Sequence, residues 1–229
     1  MRSYLLALAA CAALALPAQA VEQRYPEDAA LRAVQFLDGD VGFAVGDDGV
    51  IWKTINSGNK WELMPSGVHS SLRSIHMLTH LVGWVVGREE LPLGAGSAGV
   101  VLFTQDGGET WKRILADAVP GLNSIRFGDV NTAYIVGDGS EQFPTGVFMT
   151  GDGGRKWQPV KGQRCTSWLG ADFLDGQTGS FAGSWSRLGA VREGNFGKAD
   201  VDSLAGRNIL GLQLRPTRSF AVGQGGLVL

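Results

Sequence analysis

Apolar residues recur along the chain in short runs, each closed by Gly, Asp, Asn or Ser. Between residues 31 and 64 the runs fall at 31–36, 42–45, 50–54 and 60–63. Asp38-Gly39-Asp40, Asp47-Asp48-Gly49 and Asn56-Ser57-Gly58 stand between them. Val, Ile, Phe and Trp dominate the runs, as strands packed on both faces require. No stretch of the remaining sequence carries a sustained apolar stripe at helical spacing. The pattern predicts units of four short strands joined by tight turns.

The unit is repeated. Segments opening "LRAVQFLDGDVGFAVG" (31), "LRSIHMLTHLVGWVVG" (72), "LNSIRFGDVNTAYIVG" (122), "LGADFLDGQTGSFAGS" (169) and "LGLQLRPTRSFAVGQGG" (210) follow one scheme. Gly46, Gly87, Gly137, Gly183 and Gly223 mark the same place in each and lie 41, 50, 46 and 40 residues apart. A period of about 40–50 residues with four strands per repeat is that of a propeller blade. The fold expected is all-β: a β-propeller of four-stranded blades spanning 28–67, 68–115, 116–163, 164–207 and part of a fifth at 208–229. About four and a half blades do not close a ring of about seven. The expectation is therefore a fragment, with completion by another chain as the alternative.

Three units end in a common motif: "TINSGNKW" (54–61), "TQDGGETW" (104–111) and "TGDGGRKW" (150–157). All fit Thr-x-Asp/Asn-x-Gly-x-x-Trp, placed at the hairpin between the third and fourth strands. Gly58, Gly108 and Gly154 supply positive φ. Asn56, Asp106 and Asp152 accept backbone N–H groups inside the turn. Trp61, Trp111 and Trp157 bury their rings between blades, and Thr54, Thr104 and Thr150 open the motif. A structural role suits these aspartates better than a catalytic one, and Asp-Gly-Gly offers too few oxygens for calcium.

With 34 glycines and 8 prolines in 229 residues and no Gly-x-y period, the glycine content points to turns. A hydrophobic content of 44% permits a true core. A net charge of −2 without a basic run excludes a nucleic-acid-binding stripe. Residues 1–20, "MRSYLLALAACAALALPAQA", read as a secretory leader cleaved after Ala20, so the mature chain is expected to be exported, periplasmic or extracellular. Pro17 and Gln19 interrupt the apolar run before it reaches the roughly 20 residues of a membrane span. A lipid-anchored Cys11 is the weaker alternative, because the apolar run continues beyond it. Cys165 is then the sole cysteine, expected as a small buried side chain and not as a nucleophile.

The Thr-x-Asp-x-Gly-x-x-Trp motif is the Asp-box, or bacterial neuraminidase repeat. Together with "VGWVVG" (82–87) and "VGFAVG" (41–46), it resembles the photosystem II stability/assembly factor family over residues 28–229. The resemblance implies exported or lumenal propellers that bind partner proteins as assembly chaperones, without enzymatic activity or cofactor. The fourth unit departs from it, carrying "WSRLGAVREGNFGKADVDSLAGR" (185–207) in place of the box.

Asp-box propellers also include sialidases and glucanases, which makes a glycan-active or glycan-binding propeller the alternative. A sialidase needs an arginine cluster and a tyrosine nucleophile beside an acid. Tyr134 occupies the place of Phe43 and Trp84 and reads as a core aromatic. Asp172 with Glu89 or Glu90 could serve a glucanase, but nothing local pairs them. His69, His76 and His80 fall in strand and turn, so no metal site is expected.

A polar residue recurs in the first strand of each unit: Gln35, His76, Arg126, Asp172 and Gln213. The first strand of a blade lies innermost, so these five define a candidate binding ring at one channel mouth, against the simpler alternative that they only solvate the channel. Segments 88–99 and 138–146 lengthen the hairpin between the second and third strands, and an irregular loop at 185–198 begins at the same place. These loops form the expected protein-binding face. A protein partner is expected, and nucleic acid is not.

Overall fold

The structure, a computed structural model, describes residues 25–94, 96–114, 119–162, 164–199 and 205–229. The leader expected at 1–20 lies outside the described residues. Five antiparallel sheets follow one another along the chain. Blade one is β1 (Leu31–Phe36), β2 (Gly42–Gly46), β3 (Ile51–Thr54) and β4 (Glu62–Met64). Blade two is β5 (Ser71–Met77), β6 (Gly83–Glu90), β7 (Ser97–Thr104) and β8 (Lys112–Arg113). Blade three is β9 (Leu122–Phe127), β10 (Ala133–Gly137), β11 (Val147–Thr150) and β12 (Gln158–Pro159). Blade four is β13 (Trp168–Phe173), β14 (Gly179–Gly183), β15 (Leu188–Arg192) and β16 (Asn195–Lys198). Blade five holds β17 (Ile209–Gln213), β18 (Phe220–Gly223) and β19 (Leu227–Val228). Each blade is a meander in chain order, and the first strands pack side by side in the order β1, β5, β9, β13, β17. The architecture is that of a β-propeller.

Strand alternation makes this arrangement possible. In β6, Val85 points toward blade one while Trp84 and Val86 point toward blade three. Both faces of a middle blade are therefore apolar, and the core is divided into slabs between blades. Phe43, Val45 and Ile51 pack on Leu72, Ile75, Met77 and Val85, all at most 3% exposed. Trp84 and Val86 pack on Leu122, Ile125 and Ile135 in the next slab. Tyr134 stacks on Phe173 with centroids 4.7 Å apart, next to Phe181 and Trp168 of blade four. The last slab is smaller, built from Ala182, Ile209, Ala221 and Leu227. The two ends of the array leave apolar side chains exposed, Val34 and Phe36 on β1 and Phe220 and Val222 on β18.

Two segments differ from their reading as loops. Half of 88–99 is strand, because β6 and β7 continue their ladder from Gly83↔Thr104 out to Glu90↔Ser97. Residues 188–198 of the boxless unit are β15 and β16, closed by Glu193 and Gly194 at φ 52° and 75°. That pair of left-handed residues makes a two-residue hairpin whose twist suits the strands it joins.

Candidate functional site

The boxes act as self-contained turns. Thr104 Oγ1 donates to Asp106 Oδ1 (2.8 Å) and accepts from the Gly108 N–H (2.9 Å). Asp106 also accepts from the Thr110 N–H at 3.0 Å and from its hydroxyl. These bonds, led by the Thr110 hydroxyl, lower the Asp106 carboxyl to a pKa of about 2. Thr150, Asp152 and Gly154 repeat the pattern, as do Thr54, Asn56 and Gly58. Gly108 and Gly154 have φ of 84° and 82°. Each is also a seat: a Cβ on Gly108 would lie 2.8 Å from the Phe43 ring, and one on Gly154 2.6 Å from Trp84. Trp111 is buried in the slab it shares with Phe43, and Trp157 packs against the slab containing Trp84. Trp61 meets Phe36 of its own blade edge to face. The boxes of blades two and three thus hold neighbouring blades together, whereas Trp61, expected between blades, packs within blade one because no blade precedes it among the described residues.

The expected loop face carries more. Every first strand has a β-bulge at its start, which leaves Arg32, Arg73, Asn123, Leu169 and Leu210 out of register with their second strands. Bulges turn side chains out of the pleat and are common beside functional sites. Arg32 donates to both carboxylate oxygens of Asp47, which also accepts from Ser71. That contact, with Arg32 foremost, holds the Asp47 carboxyl below its usual range. Arg88 pairs with Asp138 at 3.0 Å and with Glu90 at 2.9 Å. Asp138 then takes hydroxyls from Ser97 and Ser167, tying blades two, three and four together. Arg73 lies in this cluster, and its buried Nε has no hydrogen-bond partner among the described residues. Burial, then the charges of Arg88 and Arg32, push its guanidinium pKa down. A half-buried cation with an unused donor favours an anionic or carbonyl ligand.

The ring at 35, 76, 126, 172 and 213 lies near the other end of the first strands, about 10 Å from the bulges at 3.3 Å per residue. Gln35 exchanges two hydrogen bonds with the Met77 backbone of blade two, 2.7 and 3.2 Å long. Asp172 accepts from the Leu214 N–H of blade five at 2.7 Å. Arg126 reaches back to Ser74 Oγ of blade two and to the Ile125 carbonyl. Burial, then the Arg126 charge, lowers the His76 pKa to about 4. His76 lies against Phe127. Gln213 is exposed. Gln35, Arg126 and Asp172 thus bridge neighbouring blades.

A third feature lies at the start of the segment read as a loop at 185–198. The turn from β14 to β15 places Trp185 and Ser186 at φ 59° and 60°. The corresponding residues are Asp48-Gly49 in blade one and Gly225-Gly226 in blade five, also left-handed. Left-handed backbone costs about 1–2 kcal/mol at a residue with a side chain. Trp185 is nevertheless 70% exposed. Beside it opens a cavity of about 680 Å³ walled by Trp168, Leu188, Phe196 and Cys165, with Arg187 at its wall. Cys165 is buried there and burial pushes its thiol pKa up.

A family model described as photosynthesis system II assembly factor YCF48 matches residues 17–163. No curated protein gives a significant match. Among solved structures, "YCF48 bound to D1 peptide" superposes with a TM-score of 0.64 at 19% identity, covering 87% of this chain and 62% of that one. YCF48 from Cyanidioschyzon merolae gives 0.51 at 15%, covering 87% and 81%. An ancestral GH74 enzyme gives 0.65 at 17%, covering 84% of this chain and 27% of that one. This chain therefore spans less than two thirds of the peptide-bound relative and about a quarter of the GH74 enzyme. At these identities the structural likenesses speak for the fold, whereas the family match extends over well over half the chain. The chain belongs to the photosynthesis system II assembly factor YCF48 family.

Proposed function

We propose that the chain is an exported, non-enzymatic scaffold that holds a segment of a partner protein against the face where the second-to-third-strand hairpins emerge. The observation that carries this reading is Arg73, bulged out of β5 with an unpartnered buried donor beside Arg32 and Arg88. A peptide supplies what that donor lacks, carbonyl and carboxylate oxygens. A relative of the same family has been solved with a D1 peptide bound. The candidate hydrolytic carboxylates are already engaged, Glu89 by Ser70 and Arg113, and Asp172 by the Leu214 N–H. This supports the non-enzymatic reading over the GH74-like one.

Titration of the D1 peptide against the chain and its Arg73→Gln variant tests the proposal. The variant should bind about tenfold more weakly, as for a partly buried arginine anchor. Equal affinity would remove this face from the function, and turnover of xyloglucan or a sialoside would favour the enzyme. At the opposite mouth the proposal extends only to His76 and Arg126. Unchanged peptide affinity after replacing both with Ala would withdraw them.

A further inference from the structure

The β14–β15 turn is built from residues that disfavour its shape. Trp185 and Ser186 adopt the conformation given to Asp48-Gly49 and Gly225-Gly226 in the equivalent turns. The strain is offset by hydrogen bonds from the Trp185 N–H to Asn208 Oδ1 (3.0 Å) and from the Ser186 N–H to the Arg207 carbonyl (2.9 Å). The indole gains little by burial, since it is 70% exposed. Strain kept by such a surrounding framework is a mark of function.

The neighbouring cavity supplies the rest. Trp168, Phe196 and Leu188 give it an apolar wall, and Arg187 and Ser186 stand on its polar side. Trp168 spends its indole N–H on the Thr145 carbonyl at 2.8 Å, so only its ring is offered. Arg187 donates to the Arg164 carbonyl and lies against the Cys165 thiol. No carboxylate pairs with it among the described residues.

We infer that this cavity is a socket for an aromatic or branched apolar side chain of an acidic peptide segment, with Trp185 covering the inserted group and Arg187 meeting a neighbouring carboxylate. The inference rests on the protein-binding reading above and names a second anchor on the same face. The guanidinium of Arg187 favours a carboxylate over a neutral saccharide, whose stacking on Trp185 is the competing outcome of the test. A single guanidinium beside an aromatic wall matches one carboxylate next to one apolar group.

The test uses capped pentapeptides, acetyl-Ala-Asp-Phe-Asp-Ala-amide and versions with Phe→Ala or both Asp→Lys, followed through the tryptophan indole N–H signals in 15N-labelled chain. The Phe peptide should shift the Trp185 and Trp168 signals, and each altered peptide should bind about tenfold more weakly. Trp185→Gly deletes the ring at a backbone angle glycine prefers, so the variant folds and should lose about tenfold in affinity. Arg187→Gln should remove the preference for Asp over Lys. Equal binding of the Phe and Ala peptides, or unchanged affinity in Trp185→Gly, would overturn the inference. So would cellobiose shifting these signals while the peptides do not. Arg73→Gln should leave the pentapeptide shifts unchanged. D1-peptide binding that depends on Arg73 but not Trp185 would sink the socket alone, and the converse would sink the Arg73 reading alone.

Discussion

Blades two and three carry the Asp-box and blade four does not, yet all three close on the blade before them. In the first two, an aromatic of the preceding blade rests on a box glycine, Phe43 on Gly108 and Trp84 on Gly154. In blade four the preceding aromatic, Tyr134, meets rings instead, Phe173 stacked at 4.7 Å and Phe181 edge-on at 5.8 Å. The indole changes place as well. Trp111 and Trp157 precede the fourth strand, whereas Trp168 opens the first. What recurs around the axis is the volume filling each slab, and the box is one way to fill it. Where the box is absent, the outer part of the blade is free to vary, and the strained Trp185 turn and the cavity occur there.

The sharpest break in this comparison is a methyl group. Gly154→Ala strains a backbone at φ 82° and drives a Cβ to within 2.6 Å of Trp84. Conformation and overpacking together should cost about 2–5 kcal/mol. Gly194→Ala in the boxless hairpin meets the same kind of backbone, φ 75°, in open space. It should cost about 1–2 kcal/mol. Urea unfolding of both variants separates the seat from the turn, and equal losses would show that the ring contact does not hold blades two and three together.

A smaller difference concerns the indole N–H groups. Trp168 Nε1 donates to the Thr145 carbonyl, while Trp111 Nε1 has no partner among the described residues. Trp168→Phe should therefore lose a hydrogen bond beyond its change in volume, an extra about 1 kcal/mol relative to Trp111→Phe. The difference in midpoint between the two variants, at unchanged denaturant slope, measures it. A Trp111→Phe variant as damaged as Trp168→Phe would mean that the two indoles are held by packing alone.

The same contrast sets what could be read from the chain. The blades are legible because their signals are local: turn residues between apolar runs, a fixed glycine spacing and three boxes. The buried positions of Phe43, Trp84 and Tyr134 follow from that spacing. The bulges are hidden, since Arg32, Arg73, Asn123, Leu169 and Leu210 have no one side-chain type in common, and the register slip that exposes them belongs to the pairing of two strands. Trp185-Ser186 resembles no left-handed turn in composition, and only its framework forces the shape. The hairpin at Glu193-Gly194 did carry a signal, a glycine between two alternating runs, but the missing box draws the eye to irregularity. Gln35 and Asp172 read as channel residues, while their bonds to Met77 and Leu214 depend on the neighbouring blade's position.

The smallest effect is acid sensitivity, to which the box aspartates contribute alongside Asp38, Asp47 and Asp129. Asp106 has a folded pKa of about 2, against about 3.9 in an unfolded chain. The folded state binds its proton later, so the contribution is complete above about pH 4 and is lost as pH falls toward about 2. The Asp152 carboxyl is lowered too, chiefly by the Lys156 N–H. Blade one already holds Asn56 at this position, its Oδ1 accepting from the Lys60 N–H at 2.8 Å and from the Thr54 hydroxyl. Asp106→Asn should therefore keep the turn at neutral pH and remove only the titration. The midpoint of the chain should fall between about pH 4 and about pH 2 while that of the variant falls less, so the two curves separate over that window, and the double variant with Asp152→Asn should be flatter still. Parallel curves would place the acid response elsewhere and leave the box aspartates as replaceable hydrogen-bond acceptors.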